Sequence, residues 1–177
     1  MSTTNMLIAG FGGQGILFTG KFLAYKGLVE DKEVSWLPSY GPEMRGGTAN
    51  CHVIISDENV ASPIITIPDI LVAMNKPSLE KFENDVESGG YIFVDESLID
   101  RKVKRDDVTA VYVDATKIAE KIGNQKMANM VMLGKIIKET GLFSEEEIKE
   151  TFIHSLPQSK QALVETNMKA VMAGFES

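Results

Sequence analysis

The sequence is poor in the residues that build cross-linked or metal-held frameworks. One cysteine, Cys51, occurs in 177 residues, which excludes an internal disulfide and a four-cysteine metal site and suits a reducing compartment. Any iron–sulfur cluster would have to sit on another chain. No run of lysine or arginine offsets the formal charge of −7, so nucleic acid and anionic membrane are not expected partners. Met1 to Asn5 lacks the basic and apolar segments of a secretory signal, and no later apolar run is long enough to span a bilayer, so the expectation is a soluble cytoplasmic protein. Repeats, low-complexity tracts and a dividing linker are also missing. A hydrophobic content of 44% supplies one substantial core, and residues 1–177 are expected to form a single domain.

What is present is an alternation of short apolar runs and helical patterns. Met6 to Gly10 reads as a strand, and Ile16 to Lys26 as a helix with Ile16, Gly20, Leu23 and Gly27 on one side. Val34 to Leu37 reads as a second strand stopped by Pro38, and Thr48 to Ser56 as a third with Ala49, Cys51, Val53 and Ile55 facing one way. Ile70 to Asn75, Tyr91 to Asp95 and Val108 to Asp114 complete about six strands. Lys76-Pro77 opens a helix toward Glu87, and charged sequence from Asp100 to Asp107 joins the last two strands. From Ala115 the pattern is helical: a short segment to Gly123, a buried one from Met127 to Thr140, one capped by Ser144 ahead of three glutamates, and a last one near Ser159 to Phe175. This predicts an α/β fold with a mostly parallel central sheet flanked by helices and a helical C-terminal third. An antiparallel excursion is expected between Cys51 and the acidic Asp57-Glu58-Asn59.

Gly10-Phe11-Gly12-Gly13-Gln14-Gly15 matches the three-glycine turn between a strand and a helix, where backbone N–H groups meet a ligand at the helix N-terminus. A nicotinamide site would also want an acid at the end of the second strand, and that strand ends Leu37-Pro38-Ser39-Tyr40. A stand-alone dinucleotide-binding protein is therefore the weaker reading. Gly15 to Phe22 nearly spells a triphosphate loop, but Phe22 stands where a magnesium-binding hydroxyl belongs. The glycines alone are equally consistent with close packing of the first helix, and the Gln14 amide with either orienting a polar partner or bracing the loop.

A second loop, Ser39 to Gly47, should leave its strand on the same side of the sheet as the glycine turn. Arg45 offers a planar fork for a carboxylate or phosphate, Glu43 can hold that fork or meet a cation, and Gly46 permits close backbone approach. An internal Glu43–Arg45 ion pair is the competing use. Together, Gly-x-Gly-Gly-Gln-Gly at 10–15 and Gly-Pro-Glu-x-Arg-Gly at 41–46 closely resemble the gamma subunit, or gamma domain, of the 2-oxoacid:ferredoxin oxidoreductases. The resemblance extends through Asn75-Lys76-Pro77 and Asn129 to Gly134.

This resemblance implies a Rossmann-like gamma domain in a complex that oxidatively decarboxylates a 2-oxoacid with coenzyme A to an acyl thioester. Thiamine diphosphate, magnesium and iron–sulfur clusters are then expected on alpha and beta catalytic subunits. A ferredoxin-like delta subunit is a further candidate partner, and ferredoxin is the acceptor. The chain itself would bind no cofactor tightly and be inactive alone. Self-association into a homodimer stays open for the isolated chain. The form of residues 39–51 is most similar to the 2-oxoglutarate type, with branched-chain and arylpyruvate types as alternatives. The candidate coenzyme A contacts are Gly10, Gly12, Gly13, Gln14, Gly15, Glu43, Arg45 and Gly46; a pure scaffold without ligand contacts is the rival. No residue is assigned to catalysis or to a metal. Cys51 is expected to be a buried thiol, with His52 on the opposite face, and His154 a surface residue. Asp95, Glu96 and Asp114 are expected to make caps and loop hydrogen bonds rather than to hold a metal.

Overall fold

The computed structural model describes residues 3–39 and 48–177. The chain runs β1 (Thr3–Phe11), α1 (Ile16–Val29), β2 (Glu33–Ser39), β3 (Thr48–Ser56), β4 (Ile70–Ala73), α2 (Lys76–Phe82), β5 (Tyr91–Asp95) and β6 (Thr109–Val113). Four helices follow: α3 (Ala115–Lys121), α4 (Ala128–Thr140), α5 (Glu145–Ser155) and α6 (Leu163–Phe175). The six strands of the described residues form one sheet in the order β2-β3-β1-β4-β5-β6. β1, β4, β5 and β6 are parallel neighbours, and β3 is antiparallel to both β1 and β2. The antiparallel excursion is thus β3 itself.

Strand alternation sorts the core. Met6 and Ile8 on β1, Val72 on β4 and Phe93 on β5 face a large cluster made with α1 and the C-terminal helices. Leu7, Leu71 and Ile92 face a smaller cluster closed by Leu79 of α2 and by Val86 and Ile99. The second strand does not stop at Pro38: β2 continues to Ser39, with Pro38 opposite Cys51. β2 is an edge strand paired only on its β3 side, and an edge tolerates a residue without an N–H. The helix after Asn75 is also shorter than its pattern suggests. Asn75 caps it by accepting from the Ser78 N–H at 2.8 Å, and it gives way to a 3₁₀ turn at Glu83–Asp85.

The charged stretch before β6 is clasped to the domain. Glu83, 3% exposed, accepts from both terminal nitrogens of Arg101 (Nη2 at 2.8 Å, Nη1 at 3.1 Å) and from the Lys104 N–H. Burial alone would push its carboxyl up, but these donors hold it below its ordinary pKa. Arg105 adds bonds to the carbonyls of Glu83 and Val86.

Two glycine contacts set how closely helices approach. A Cβ on Gly20 of α1 would lie 2.3 Å from the Cys51 sulfur. At the α4–α6 crossing the contact is reciprocal: a Cβ on Gly134 would sit 1.9 Å from the Val171 carbonyl oxygen, and one on Gly174 1.8 Å from that of Val131. A backbone carbonyl inside a helix cannot swing aside, so one methyl group must force the helices apart. Gly174→Ala is expected to cost about 3 kcal/mol or more. Differential scanning calorimetry should then show the melting midpoint lowered by roughly 6–12 °C; an unchanged midpoint would contradict the crossing.

A buried cation ties α1 to α5. Lys26, 3% exposed, meets Glu30 and Glu147, the latter at 3.2 Å, and lies 5.1 Å from the Phe143 ring centroid. Ser144 and Glu147 form a capping box, Ser144 N–H donating to Oε2 at 2.6 Å. The Glu147 carboxyl is held down at about 2, first by its contact with Glu30, next by Ser144, with Lys26 adding to both. A carboxylate with a lowered folded-state pKa contributes stability above its unfolded pKa and loses it as pH falls toward the folded value. Stability measured by denaturant titration should therefore decline between about pH 5 and pH 2. Glu147→Gln should flatten that part of the profile; parallel profiles would count against the linkage.

Candidate functional site

The glycine turn lies at the carboxyl end of β1, where the sheet changes direction. α1 leaves β1 on one face and leads toward β2, while α2 leaves β4 on the other face and leads toward β5. The gap between the ends of β1 and β4 is the topological switch point, where open α/β sheets bind ligands. Gln14 spans it. Its Oε1 accepts from the Phe11 N–H at 2.6 Å, and its Nε2 donates to the Met74 carbonyl at 3.0 Å. Of its two sequence-level roles, bracing the loop is the one its amide performs.

The glycines serve this brace in different ways. A Cβ on Gly10 would lie 2.6 Å from Gln14 Oε1 and 2.9 Å from the Met74 Cβ, so Gly10 makes room for the amide. Gly13 and Gly15 adopt left-handed conformations with φ of 89° and 75°. Gly15 caps α1 and is pressed from the other side by Asn129 of α4, whose Nδ2 would be 2.4 Å from a Gly15 Cβ. Asn129 is 7% exposed and donates to the Gly15 carbonyl at 3.4 Å and to Thr19 Oγ1 at 3.2 Å. In the sequence Asn129 stands out only as the head of the Asn129 to Gly134 motif. The available signal was an amide heading the apolar run Met130-Val131-Met132-Leu133.

The turn forms a ridge between two hollows. One, of about 210 Å³, runs from Gly13 and Gln14 to Thr116, Gln125 and the cationic Lys126. The other, of about 280 Å³, is apolar, between Phe11, Gly12, Leu17, Phe18 and Ala49. Among the hydrogen bonds of the described residues, none is donated by the N–H groups of Gly12 or Gly13. Such groups at the positive end of a 14-residue helix suit an anionic or carbonyl-bearing ligand.

Glu43, Arg45 and Gly46 lie outside the described residues. The flanks of their segment do not: Thr48 pairs with Phe11, and Ser39 pairs with Asn50. The ladder therefore anchors both ends of residues 40–47 at the edge of the sheet that carries the glycine turn.

Other conspicuous residues take structural positions. Cys51 is fully buried, its thiol 3.6 Å from the Ile16 carbonyl and pushed up to about 12 by burial. His52 projects from the other face, where Nδ1 accepts from the Ile65 N–H at 2.9 Å and burial pushes the imidazole down. Asp95, also fully buried, accepts from Thr116 Oγ1 at 2.6 Å and from the Ser97 N–H at 3.2 Å, knitting the end of β5 to α3. Asp114 pairs with Lys117 and Ser97, which hold its carboxyl low. His154 is exposed, and among the described residues no three histidine, cysteine or acidic side chains cluster as metal ligands.

A family model described as pyruvate ferredoxin/flavodoxin oxidoreductase matches residues 5–177. The chain is 44% identical over 174 residues to ketoisovalerate oxidoreductase subunit VorA of Methanothermobacter thermautotrophicus, covering 96% of this chain but only 35% of that protein. It is 37% identical over 172 residues to 2-oxoglutarate synthase subunit KorC of Methanocaldococcus jannaschii, covering 96% and 90% of the two chains. Among solved structures, the gamma subunit of keto/oxoacid ferredoxin oxidoreductase from Geobacter sulfurreducens aligns with a TM-score of 0.82 at 30% identity, over 98% of this chain and 96% of that one. The 2-oxoglutarate:ferredoxin oxidoreductase of Magnetococcus marinus, solved with 2-oxoglutarate, coenzyme A and succinyl-CoA bound, shares the fold with a TM-score of 0.86 at 24% identity, over 99% of this chain and 31% of that one.

Because Gln14 and Asn129 brace one turn from opposite sides, their contributions should couple. Gln14→Ala and Asn129→Leu are each expected to destabilise by about 1 kcal/mol, since each removes two hydrogen bonds. The double variant should fall short of the sum by about 0.5 kcal/mol or more in urea unfolding. Strict additivity would mean that the two amides do not share the turn.

Proposed function

This chain belongs to the pyruvate ferredoxin/flavodoxin oxidoreductase family, and we propose that it is the gamma subunit of a 2-oxoacid:ferredoxin oxidoreductase, with 2-oxoglutarate as the 2-oxoacid. In this reading residues 1–177 act as one unit in a cytoplasmic complex whose alpha and beta chains carry thiamine diphosphate, magnesium and iron–sulfur clusters, with ferredoxin as acceptor. Thiamine diphosphate supplies the decarboxylation chemistry on those chains. The gamma chain has one cysteine, fully buried, and so has no ligand set for a cluster of its own. Its contribution is to bind and orient coenzyme A.

The observation that carries this reading is the convergence at one sheet edge of the glycine turn and the anchored ends of residues 40–47. The Gly12 and Gly13 N–H groups suit the phosphate or amide oxygens of coenzyme A, while Gln14 and Gly10 hold the turn and Gly15 starts α1. Arg45 would add a charge-assisted bond to phosphate, with Glu43 and Gly46 as the further candidate contacts of that loop. The coenzyme A in the Magnetococcus marinus complex supports this ligand class. For the 2-oxoacid, KorC favours 2-oxoglutarate because it matches nearly end to end. VorA, at 44% identity, favours a branched-chain 2-oxoacid as the second reading, although the chain spans about a third of that protein.

The purified complex should reduce ferredoxin or a viologen in a coenzyme A-dependent reaction with 2-oxoglutarate. A preference for 2-ketoisovalerate would select the second reading, and no activity with any 2-oxoacid would overturn the assignment. Arg45→Ala should raise the KM for coenzyme A by about 10- to 100-fold with the complex intact. Loss of assembly with an unchanged KM would instead mark the loop as scaffold.

A further inference from the structure

Residues 57–69 join β3 to β4 without forming a strand or helix. The segment is fastened at its ends. Asp57 pairs with Lys32, the Glu58 N–H donates to Ser56 Oγ at 3.0 Å, and the Asp69 N–H donates to the Asn5 carbonyl at 2.9 Å. Between those ends it is held at one residue. Of residues 59–67 only Ile65 is buried, at 8% exposed, while Ile64 and Ile67 stand out at 61% and 54%. Among the described residues, one hydrogen bond ties 59–67 to the rest of the chain: the Ile65 N–H donates to His52 Nδ1 at 2.9 Å. His52 stands abreast of Leu7 of β1 and Leu37 of β2 in the ladder, so the bond draws Ile65 onto that face of the sheet. An imidazole nitrogen that accepts a hydrogen bond carries no proton, and the contact therefore requires the neutral Nε2–H tautomer. Protonation would put an N–H on Nδ1, donor against donor, and abolish the bond.

We propose that residues 59–67 form a strap that His52 latches when neutral and releases when protonated, a device independent of the subunit reading above. Release breaks one side-chain contact and nothing of the β2–β3–β1 ladder, because His52 keeps its backbone pairing. The change is therefore local and reversible. Among the described residues no carboxylate is placed to favour the imidazolium in the latched state. β1 has no ionisable side chain, and on β3 Cys51 faces the opposite side. On β2, Glu33 lies opposite Ser56, four residues along the ladder from His52. On the strap and its ends, Asp57 is engaged by Lys32, Asp69 accepts from the Asn5 N–H at 2.7 Å, and Glu58 is exposed. α2 packs on β1 and β4, where Lys76 and Glu80 pair with Asp100 and Arg101 and Lys81 lies over the Phe82 ring. Burial is left to act on His52, and it pushes the imidazole below its ordinary 6.5. The latched form thus binds its proton more weakly than the released form. Latching is fully favoured above about pH 6.5 and is lost progressively as pH falls below it.

The test is amide hydrogen exchange at Ile65 in the full chain, followed by NMR and expressed as a protection factor so that the intrinsic pH dependence of exchange cancels. Between about pH 7.5 and pH 5.5 the Ile65 protection factor should fall about 5- to 10-fold, in step with the His52 titration in the same samples. The Met74 N–H, bonded to the Ala9 carbonyl at 2.8 Å, should keep its protection over that range. His52→Asn retains an acceptor that does not titrate and should level the Ile65 profile. His52→Phe has no acceptor and should lower Ile65 protection at every pH. A level wild-type profile would overturn the latch, as would an imidazolium that forms while Ile65 stays protected. So would a His52→Asn profile that falls like the wild type, since the titrating group would then lie elsewhere, or a parallel loss at Met74, which would mean general unfolding.

Discussion

One side-chain amide extends the link between the two strand ends beside the glycine turn beyond their last backbone hydrogen bond. The parallel ladder of β1 and β4 ends where the Met74 N–H donates to the Ala9 carbonyl at 2.8 Å, and beyond it the chain departs to opposite faces of the sheet. Gln14 carries the connection one step further, accepting from the N–H of Phe11 and donating to the carbonyl of Met74. Its position in turn fixes its neighbours. Gly10 must lack a side chain to admit it, Gly13 and Gly15 must turn left-handed around it, and α1 starts where the turn ends. Among the described residues, the N–H groups of Gly12 and Gly13 donate to none of the groups in this network.

The C-terminal helices extend the same constraint. α4 places Asn129 against Gly15 at its first turn, and five residues later Gly134 lets α6 approach to backbone contact. A shift of α4 along its axis would thus displace both the Asn129 amide and the glycine crossing. Lys26 fastens the far end of α1 to α5 through Glu30 and Glu147. Both ends of α1 are therefore pinned, its inner side is fitted to the sheet by glycines, and its outer side is left apolar. Pinning of this kind keeps the glycine turn at the head of α1 preorganised.

Most of the architecture was legible in the chain because it rests on local periodicity. The period-two pattern of Thr48 to Ser56 marked β3, the Tyr91 to Asp95 strand had its bounds correctly placed, and the Ser144 cap with its glutamates marked the start of α5. Pro38 was misread as a stop because whether proline ends a strand depends on which side of the sheet that strand occupies, and edge position is not a local property. The clasp of Arg101 and Arg105 around the Glu83 turn was hidden for a similar reason: a charged linker and a charged clasp have the same composition.

For the site, the sequence by itself determined the two glycine-bearing motifs, their order and the single cysteine that bars a cluster, since these follow from residue type and spacing alone. It also placed Cys51 and His52 on opposite faces, because neighbours on a strand project apart. Only the tertiary structure decided that Gln14 braces its own loop, that Asn129 reaches Gly15 from 114 positions away, and that one face of α1 is left apolar and uncovered. Hydrogen-bond partners far apart in the chain, and the accounting of which apolar face is left over, exist only once the strands have an order.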